Sequence, residues 1–141
     1  DHLEDPHNLG AIIRSAEAAG ITGIILPKDR SVTVTDTVIK TSAGAINNLK
    51  IVKVTNLVDT IKKLQKENFF IYGADMEGTD IREAKFAPKK VLVIGNEGKG
   101  ISKVVEKNCD EMIRIPMKAE INSLNASVAA AILIFEMGGL S

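Results

Sequence analysis

The sequence has few of the residues that cross-link or anchor a protein, with one cysteine, no tryptophan and one tyrosine among 141 residues. The single cysteine, Cys109, cannot form an internal disulfide, and we expect an inert thiol because no histidine lies near it in the sequence. No apolar run approaches the roughly 20 residues of a membrane-spanning helix. Together these features predict a cytoplasmic protein without a membrane partner.

Net charge is also missing, since 18 basic and 18 acidic residues cancel. The sequence lacks the basic excess that is typical of nucleic-acid-binding proteins, so an RNA partner would depend on local charged patches. The two histidines, His2 and His7, do not have the spacing of metal ligands, and we expect no metal site. No nucleophile elbow is present, and His7 is either a base or, more commonly for such a turn position, a surface residue.

What the sequence does have is a regular alternation of apolar strands and helices, which predicts one α/β domain with a parallel sheet. The first helix is expected to begin at an Asn8 N-cap and to stop at a left-handed Gly20. The apolar run at 91–94 is expected to be buried on both faces, and residues 78–88 to be irregular. Strands are predicted at residues 24–27, 51–54, 69–72, 91–94 and 112–115, and helices at residues 8–19, 36–42, 57–66, 102–107 and 124–137.

The last predicted helix, from about Leu124 to Met137, has almost no polar face before Glu136. A helix that is hydrophobic all round is expected to be buried all round. In a domain of this size it would pack against a second subunit as well as its own sheet. Burial under its own chain alone is the alternative.

Two loops that follow predicted strands could hold a ligand. The loop Gly95–Gly100 fits neither a phosphate-binding P-loop nor a dinucleotide fingerprint, and Glu97 inside it suits a cationic or hydroxyl-bearing ligand. The second loop begins at Pro116, which ends a strand because it has no backbone N–H. It leads to Ser123 and Asn125 at a helix start, where an open α/β sheet binds its ligand; a well-capped structural helix is the alternative.

Three motifs occur in a fixed order along nearly the whole chain. The first is Asp5-Pro6-His7-Asn8-Leu9-Gly10 with Arg14 and Gly20, the second is the loop Gly95–Gly100, and the third joins Ile115-Pro116-Met117 to Ser123-Leu124-Asn125. Together they resemble the motifs of the SpoU (TrmH-like) RNA ribose 2′-O-methyltransferases of the SPOUT superfamily. Residues 41–45 and 51–57 are similar to the bacterial 23S ribosomal RNA guanosine-2′-O-methyltransferases of the RlmB type.

The resemblance implies an α/β fold with a deep C-terminal trefoil knot and an S-adenosylmethionine site in that knot. It also implies an RNA substrate, no DNA partner, and a homodimer whose interface builds the active site. The residues that would hold the cofactor are Gly95, Ile115 and Leu124, with Asn96, Met117 and Asn125 as near neighbours. The residues that match the family's catalytic positions are Asn8, Arg14, Glu97, Ser123 and Asn125.

The role of Arg14 needs a physical argument of its own. The family mechanism usually assigns removal of the hydroxyl proton to the matching arginine, but a guanidinium with a pKa above about 12 is almost never deprotonated in proteins. We hypothesise that Arg14 grips a substrate phosphate and stabilises the developing alkoxide charge. A solvated arginine paired with Glu17 is the alternative.

The chain also departs from the family pattern. Residues 118–120 stand where relatives commonly have a glycine, and Ala126 replaces a usual valine. Relatives have a strand before the first motif and often a separate N-terminal RNA-binding domain, so we expect residues 1–141 to be the catalytic part of a longer protein. Methylation of ribosomal RNA is the leading hypothesis. Methylation of transfer RNA and a catalytically silent RNA-binding or assembly module are the alternatives.

Overall fold

The computed structural model describes residues 1–28, 49–118 and 124–138. The predicted helix at 36–42, the small residues at 41–45 and Ser123 lie outside the described residues. The helices of the described ranges are α1 (Pro6–Ala18), α2 (Leu57–Lys66), α3 (Lys103–Asn108) and α4 (Ala126–Gly138). The strands are β1 (Gly23–Pro27), β2 (Lys50–Val54), β3 (Phe70–Asp80), β4 (Lys90–Val93) and β5 (Glu111–Arg114).

Every strand pair in the described ranges is parallel, which confirms the predicted α/β class. β1 pairs with β2 in one sheet, and β3 lies between β4 and β5 in another. Gly73 of β3 lies opposite both Val93 and Met112. β4 therefore ends beside Gly73 of β3 and β5 ends opposite Asp80, so the segments that follow both strands leave from the carboxyl ends of the strands, where parallel sheets bind ligands.

α1 begins earlier than the sequence predicts. Asp5 is the N-cap, since its side chain accepts a hydrogen bond of 2.8 Å from the backbone N–H of His7, and Pro6 is the first helical residue. The prediction that Asn8 is the N-cap is wrong, because Asn8 lies inside the helix with only 6% of its surface exposed. Gly20 has a φ of +77°, which confirms the predicted left-handed stop.

β3 is much longer than the predicted strand at 69–72 and continues to Asp80. Ala74 and Thr79 both lie opposite Ile113, so the residues between them form a bulge. A Cβ at Gly78 would lie 2.5 Å from the backbone of Met112, and only glycine allows β5 to pass this closely. The prediction of an irregular segment is therefore wrong for residues 78–80, which belong to β3. The sequence gives no strand pattern here because the bulged part of the strand consists largely of polar residues with low strand propensity.

α4 packs its buried side chains against two separate parts of the core. Ala130 and Ile134 contact the cluster built around α1, whereas Leu133 and Met137 contact the cluster around Tyr72. The alternative of burial under its own chain alone is therefore wrong, since Val128 is 47% exposed and Ile132 is 38% exposed, and packing against a second subunit stays a prediction.

The expected burial of the β4 run on both faces is also wrong in part. Val93 is buried, but Val91 and Leu92 are only half-buried. Among the helices within residues 1–28, 49–118 and 124–138, none has the length and hydrophobicity needed to cross a membrane.

Candidate active site

The glycine-rich loop after β4 is closed by its own backbone. Asn96 and Gly100 exchange two backbone hydrogen bonds, of 3.0 and 2.9 Å. Gly100 has a φ of +72°, a left-handed conformation that glycine adopts without strain. A Cβ at Gly95 would lie 2.3 Å from the carbonyl carbon of Gly100, so closure of the loop requires glycine at this position as well.

The side chain of Asn96 is occupied in shaping this loop. Its oxygen accepts hydrogen bonds from the backbone N–H groups of Gly98, at 2.9 Å, and Lys99, at 3.0 Å. Its amide nitrogen donates to the carbonyl of His2 at 2.9 Å. Asn96 therefore joins the loop to the N-terminal segment, and its contribution to a ligand would come from its backbone.

The carboxylate of Glu97 holds the start of α1. It accepts hydrogen bonds from the backbone N–H groups of Asp5, at 2.7 Å, and Glu4, at 3.1 Å, while the Asn8 side-chain amide donates at 3.4 Å. Partial burial raises the pKa of Glu97, but these hydrogen bonds and one from its own N–H lower it by more. The pKa of Glu97 therefore lies below its ordinary value, and the group is ionised at neutral pH.

Asn125 caps the beginning of α4, as its position in the sequence predicts. Its side-chain oxygen accepts hydrogen bonds from the backbone N–H of Ser127, at 2.9 Å, and of Val128, at 3.4 Å. The Ser127 hydroxyl also donates to it at 2.5 Å. These bonds satisfy free N–H groups at the helix start and fix the side chain of Asn125 in place.

An open cavity of about 720 Å³ brings residues of the three motifs together. Asn8, Glu97 and Asn125 line it with the predicted cofactor residues Asn96 and Leu124. This volume lies within the range of small-molecule sites in proteins, roughly 300–1,000 Å³. The remaining lining residues are Glu4, Asp5, Gly98, Lys99 and Ala126.

A second cavity, of about 130 Å³, contains Ile115 and Met117, and Leu124 lines both cavities. Its wall is mainly apolar and includes the fully buried side chains of Ile113 and Leu133. The other lining residues are Ala74, Asp75, Met76, Arg114 and Ala129.

Sequence reasoning missed residues 74–76 as part of the site. They lie in the bulge of β3, at the sheet edge from which the segments after β4 and β5 depart. Since ligands bind at the carboxyl ends of parallel strands, the end of the predicted strand at 69–72 was the signal that could have found them.

Other predicted site residues lie apart from these cavities. Arg14 is an exposed residue of α1 that lines neither cavity. It forms no ion pair with Glu17. Gly95 acts through loop closure and does not line either cavity, and Ser123 lies outside the described residues.

The Cys109 thiol is half-buried. Burial, and then the nearby carboxylates of Asp110 and Glu106, raise the pKa of Cys109 to about 11. The thiolate is therefore scarce at neutral pH, which confirms the expectation of an inert thiol.

Loops from neighbouring parallel strands thus build two adjoining cavities, one polar and one apolar, which is the arrangement of a ligand-binding α/β domain. The chain belongs to the SpoU rRNA methylase family, whose family model matches residues 1–135. A protein of Staphylococcus saprophyticus, named for the TrmH family of tRNA/rRNA methyltransferases, is 49% identical over 138 residues. The match covers 97% of this chain and 55% of that protein, so the chain spans about half the length of this relative.

Solved structures of TrmH and SpoU methyltransferases also match the chain. An RNA methyltransferase of the TrmH family from Porphyromonas gingivalis matches with a TM-score of 0.89 and 32% identity, over 97% of this chain and 56% of that one. The SpoU methyltransferase AviRb from Streptomyces viridochromogenes, solved in complex with its cofactor AdoMet, matches with a TM-score of 0.88 and 29% identity. This match covers 98% of the chain and 54% of AviRb.

Proposed function

We propose that this chain is the catalytic domain of an S-adenosylmethionine-dependent methyltransferase that modifies a ribose 2′-hydroxyl of RNA in the cytoplasm. The RNA that its sequence favours is 23S ribosomal RNA, with a guanosine as the target. The observation that carries the proposal is the shared cavity of Asn8, Glu97 and Asn125, which come from three distant parts of the chain. The names of the TrmH relatives and the AdoMet complex of AviRb support it.

The two cavities suit the two halves of this chemistry. Purines pack well on aliphatic and thioether side chains, and the second cavity offers Ile115, Met117 and Leu124. Because this cavity, of about 130 Å³, is smaller than a whole small-molecule site, we assign to it only the adenosyl end of the cofactor, with the remainder along the backbone of the glycine loop. The residues that would hold it are Gly95, Asn96, Ile115, Met117, Leu124 and Asn125. When bound, S-adenosylmethionine supplies an electrophilic methyl group.

The polar cavity would hold the acceptor ribose. Its amides, Asn8 and Asn125, offer hydrogen-bond donors and acceptors that can orient a hydroxyl group. Glu97 is ionised and already accepts hydrogen bonds from the start of α1, so its part is to position Asn8 rather than to remove a proton. Ser123 would join this group from the segment before α4.

Arg14 would bind a phosphate of the RNA and stabilise the developing alkoxide through its planar fork of N–H groups. Its place on α1, away from both cavities, favours a site completed by a second copy of the chain. The exposed Val128 and Ile132 of α4 supply an apolar stripe for such a contact. We therefore propose a homodimer in which Arg14 reaches the cavity of the partner subunit.

We also propose that the C-terminal part of the chain forms the trefoil knot of the SPOUT fold. The two segments that a knot would thread past each other are the glycine loop Gly95–Gly100 and the connection between β5 and α4. Both border the cavities described above. A crystal structure that traces residues 115–126 continuously would test this topology.

The function is tested by titrating the purified chain with S-adenosylmethionine and then measuring tritiated methyl transfer to ribosomal RNA and transfer RNA. We expect saturable cofactor binding and label on the ribose of ribosomal RNA. Label on transfer RNA alone would identify transfer RNA, and not ribosomal RNA, as the substrate. Cofactor binding without transfer to either RNA, in a chain that still binds RNA, would identify a silent binding module and overturn the enzymatic proposal.

A further inference from the structure

The apolar second cavity contains a carboxylate for which the mechanism above has no use. Asp75 lies in the bulge of β3 and is half-buried. Its Oδ1 accepts a hydrogen bond of 2.8 Å from the backbone N–H of Glu77. This bond fixes the orientation of the carboxylate, as in an Asx turn, and makes Asp75 a preorganised acceptor at the cavity wall.

The second oxygen of this carboxylate is free to accept from a ligand. Arg114 is the other ionisable residue of the cavity, but its guanidinium lies 3.8 Å from Asp80 and forms no ion pair with Asp75. Asp80 is in turn held by Arg82 at 2.6 Å. Within the described ranges, no side chain donates to Oδ2 of Asp75.

The chemistry of the cavity restricts what could bind to this oxygen. An ionised carboxylate only accepts hydrogen bonds, so its partner on the ligand must be a donor. Apart from Arg114, the rest of the wall is aliphatic or thioether, which suits the flat face of a purine. An adenosine carries both features, since its ribose presents two vicinal hydroxyl donors beside the base.

We propose that Asp75 accepts a hydrogen bond from the ribose hydroxyls of the adenosyl group and determines specificity for a ribonucleoside cofactor. The inference rests on the proposed function and extends it to a residue outside the three motifs. The ribose hydroxyls are hydrogen-bond donors and the sulfonium has none, so the free acceptor oxygen of Asp75 is assigned to the ribose. A hydrogen bond to a charged group of this kind changes affinity by on the order of tenfold or more.

Calorimetric titration with 5′-methylthioadenosine and its 2′-deoxy and 3′-deoxy derivatives tests this assignment without any methyl transfer. We expect the wild-type chain to bind the parent nucleoside at least about tenfold more tightly than one of the deoxy compounds. Asp75→Asn and Asp75→Ala should remove most of that preference. Glu77→Gln is the matched control, because it removes the same charge two residues away while keeping the backbone N–H that holds Asp75.

A preference for the hydroxyls that persists in both Asp75 variants would overturn the inference. Variants that instead change the ratio of affinities for S-adenosylmethionine and S-adenosylhomocysteine would place the carboxylate beside the sulfonium and overturn it as well. A wild-type chain that binds none of these nucleosides would overturn the proposed function itself. Circular dichroism of each variant separates loss of fold from loss of contact.

Discussion

The carboxylate of Glu97 and the backbone N–H of Asp5 are joined by a hydrogen bond of 2.7 Å across 92 residues of sequence. This bond, with those from Glu4 and Asn8, ties the glycine loop to the first turn of α1. These hydrogen bonds connect the loop to the helix, so we expect a change in the loop to shift the side chain of Asn8. Glu97 links the part of the site assigned to the cofactor with the part assigned to the ribose.

The first prediction concerns this link. Glu97→Ala leaves N–H groups at the start of α1 without acceptors, and we expect the free energy of unfolding to fall by about 1 kcal/mol, as for the loss of a helix cap. Methyl transfer should fall at least about tenfold, because Asn8 loses its anchor. Glu97→Gln retains one acceptor oxygen and should lie between the wild type and the alanine variant. Thermal unfolding and transfer rates measure the two effects.

The pH dependence of the methyl-transfer rate distinguishes two roles for Glu97, which are positioning of Asn8 and removal of a proton. Since hydrogen bonds hold the pKa of Glu97 below its ordinary value, the group stays ionised throughout the neutral range. Glu97→Gln should therefore lower the rate without changing the shape of the pH–rate profile above pH 6. Loss of a limb of that profile would identify Glu97 as a proton acceptor instead. Glu106→Gln, an exposed carboxylate on α3, serves as the control.

How far the sequence predicts this molecule depends on which interactions are local. Strand alternation and capping by Asn125 act within a few residues, and these predictions are confirmed. The N-cap of α1 was misplaced because Asn8 has a distant partner in Glu97, so its polar side chain serves a tertiary contact. The extension of β3 was missed because its bulge is specified by close passage of the β5 backbone at Gly78.

The sequence predicts some residues of the candidate site and not others, again because the contacts that group them are not local. Asn8, Glu97 and Asn125 do line one cavity, but only the resemblance of three motifs could group residues so far apart in sequence. Asp75 belongs to none of those motifs, and its place in the second cavity depends on the bulge of β3 and on the position of β3 between β4 and β5. Periodicity does not determine strand order, since it specifies which face of an element is buried and not which elements are neighbours.

A second prediction uses the pH dependence of stability at Asp80. Hydrogen bonds from the side chain and then the backbone of Arg82 lower the pKa of Asp80 to about 2, from an ordinary value of 3.8. The unfolded chain therefore binds this proton first, and the stabilisation is complete above about pH 4 and lost as the pH falls toward 2.

Thermal melts of Asp80→Asn should accordingly lie below the wild type at pH 7, and the gap should narrow between pH 4 and pH 2. Glu67→Gln, at an exposed carboxylate after α2, is expected to track the wild type at every pH. A gap for Asp80→Asn that is as wide at pH 2 as at pH 7 would mean that the ion pair with Arg82 is not its source.

The third prediction concerns the apolar stripe of α4. Ile132→Ser together with Val128→Ser should convert a dimer into a monomer, because the stripe would no longer bury apolar surface against a second copy. Light scattering after gel filtration measures the mass. Val104→Ser is the matched control, since Val104 is 60% exposed on α3, outside the stripe. A dimer that survives the double substitution, or a wild-type chain that is monomeric at micromolar concentration, would contradict the proposed interface.

The fourth prediction tests the chemistry of Arg14. Arg14→Lys keeps the positive charge but removes the planar fork, so we expect methyl transfer to fall at least about tenfold. The affinity for S-adenosylhomocysteine should not change, because the proposed contacts of Arg14 are with the RNA phosphate and the developing alkoxide and not with the cofactor. Near-full activity in the lysine variant would exclude a role that depends on the fork and leave a simple charge effect.

The last prediction asks which subunit supplies Arg14. If Arg14 of the partner subunit completes the cavity, a heterodimer of an Arg14→Ala copy and a Glu97→Ala copy contains one site with both groups intact. Isolated with two affinity tags, it should recover about half of the wild-type rate, although each variant homodimer should retain at most about a tenth of it. The reciprocal pairing, one wild-type copy with one copy carrying both substitutions, should be inactive because neither of its sites has both groups. Activity in the reciprocal pairing and none in the first would place Arg14 in the same subunit as the cavity that it serves.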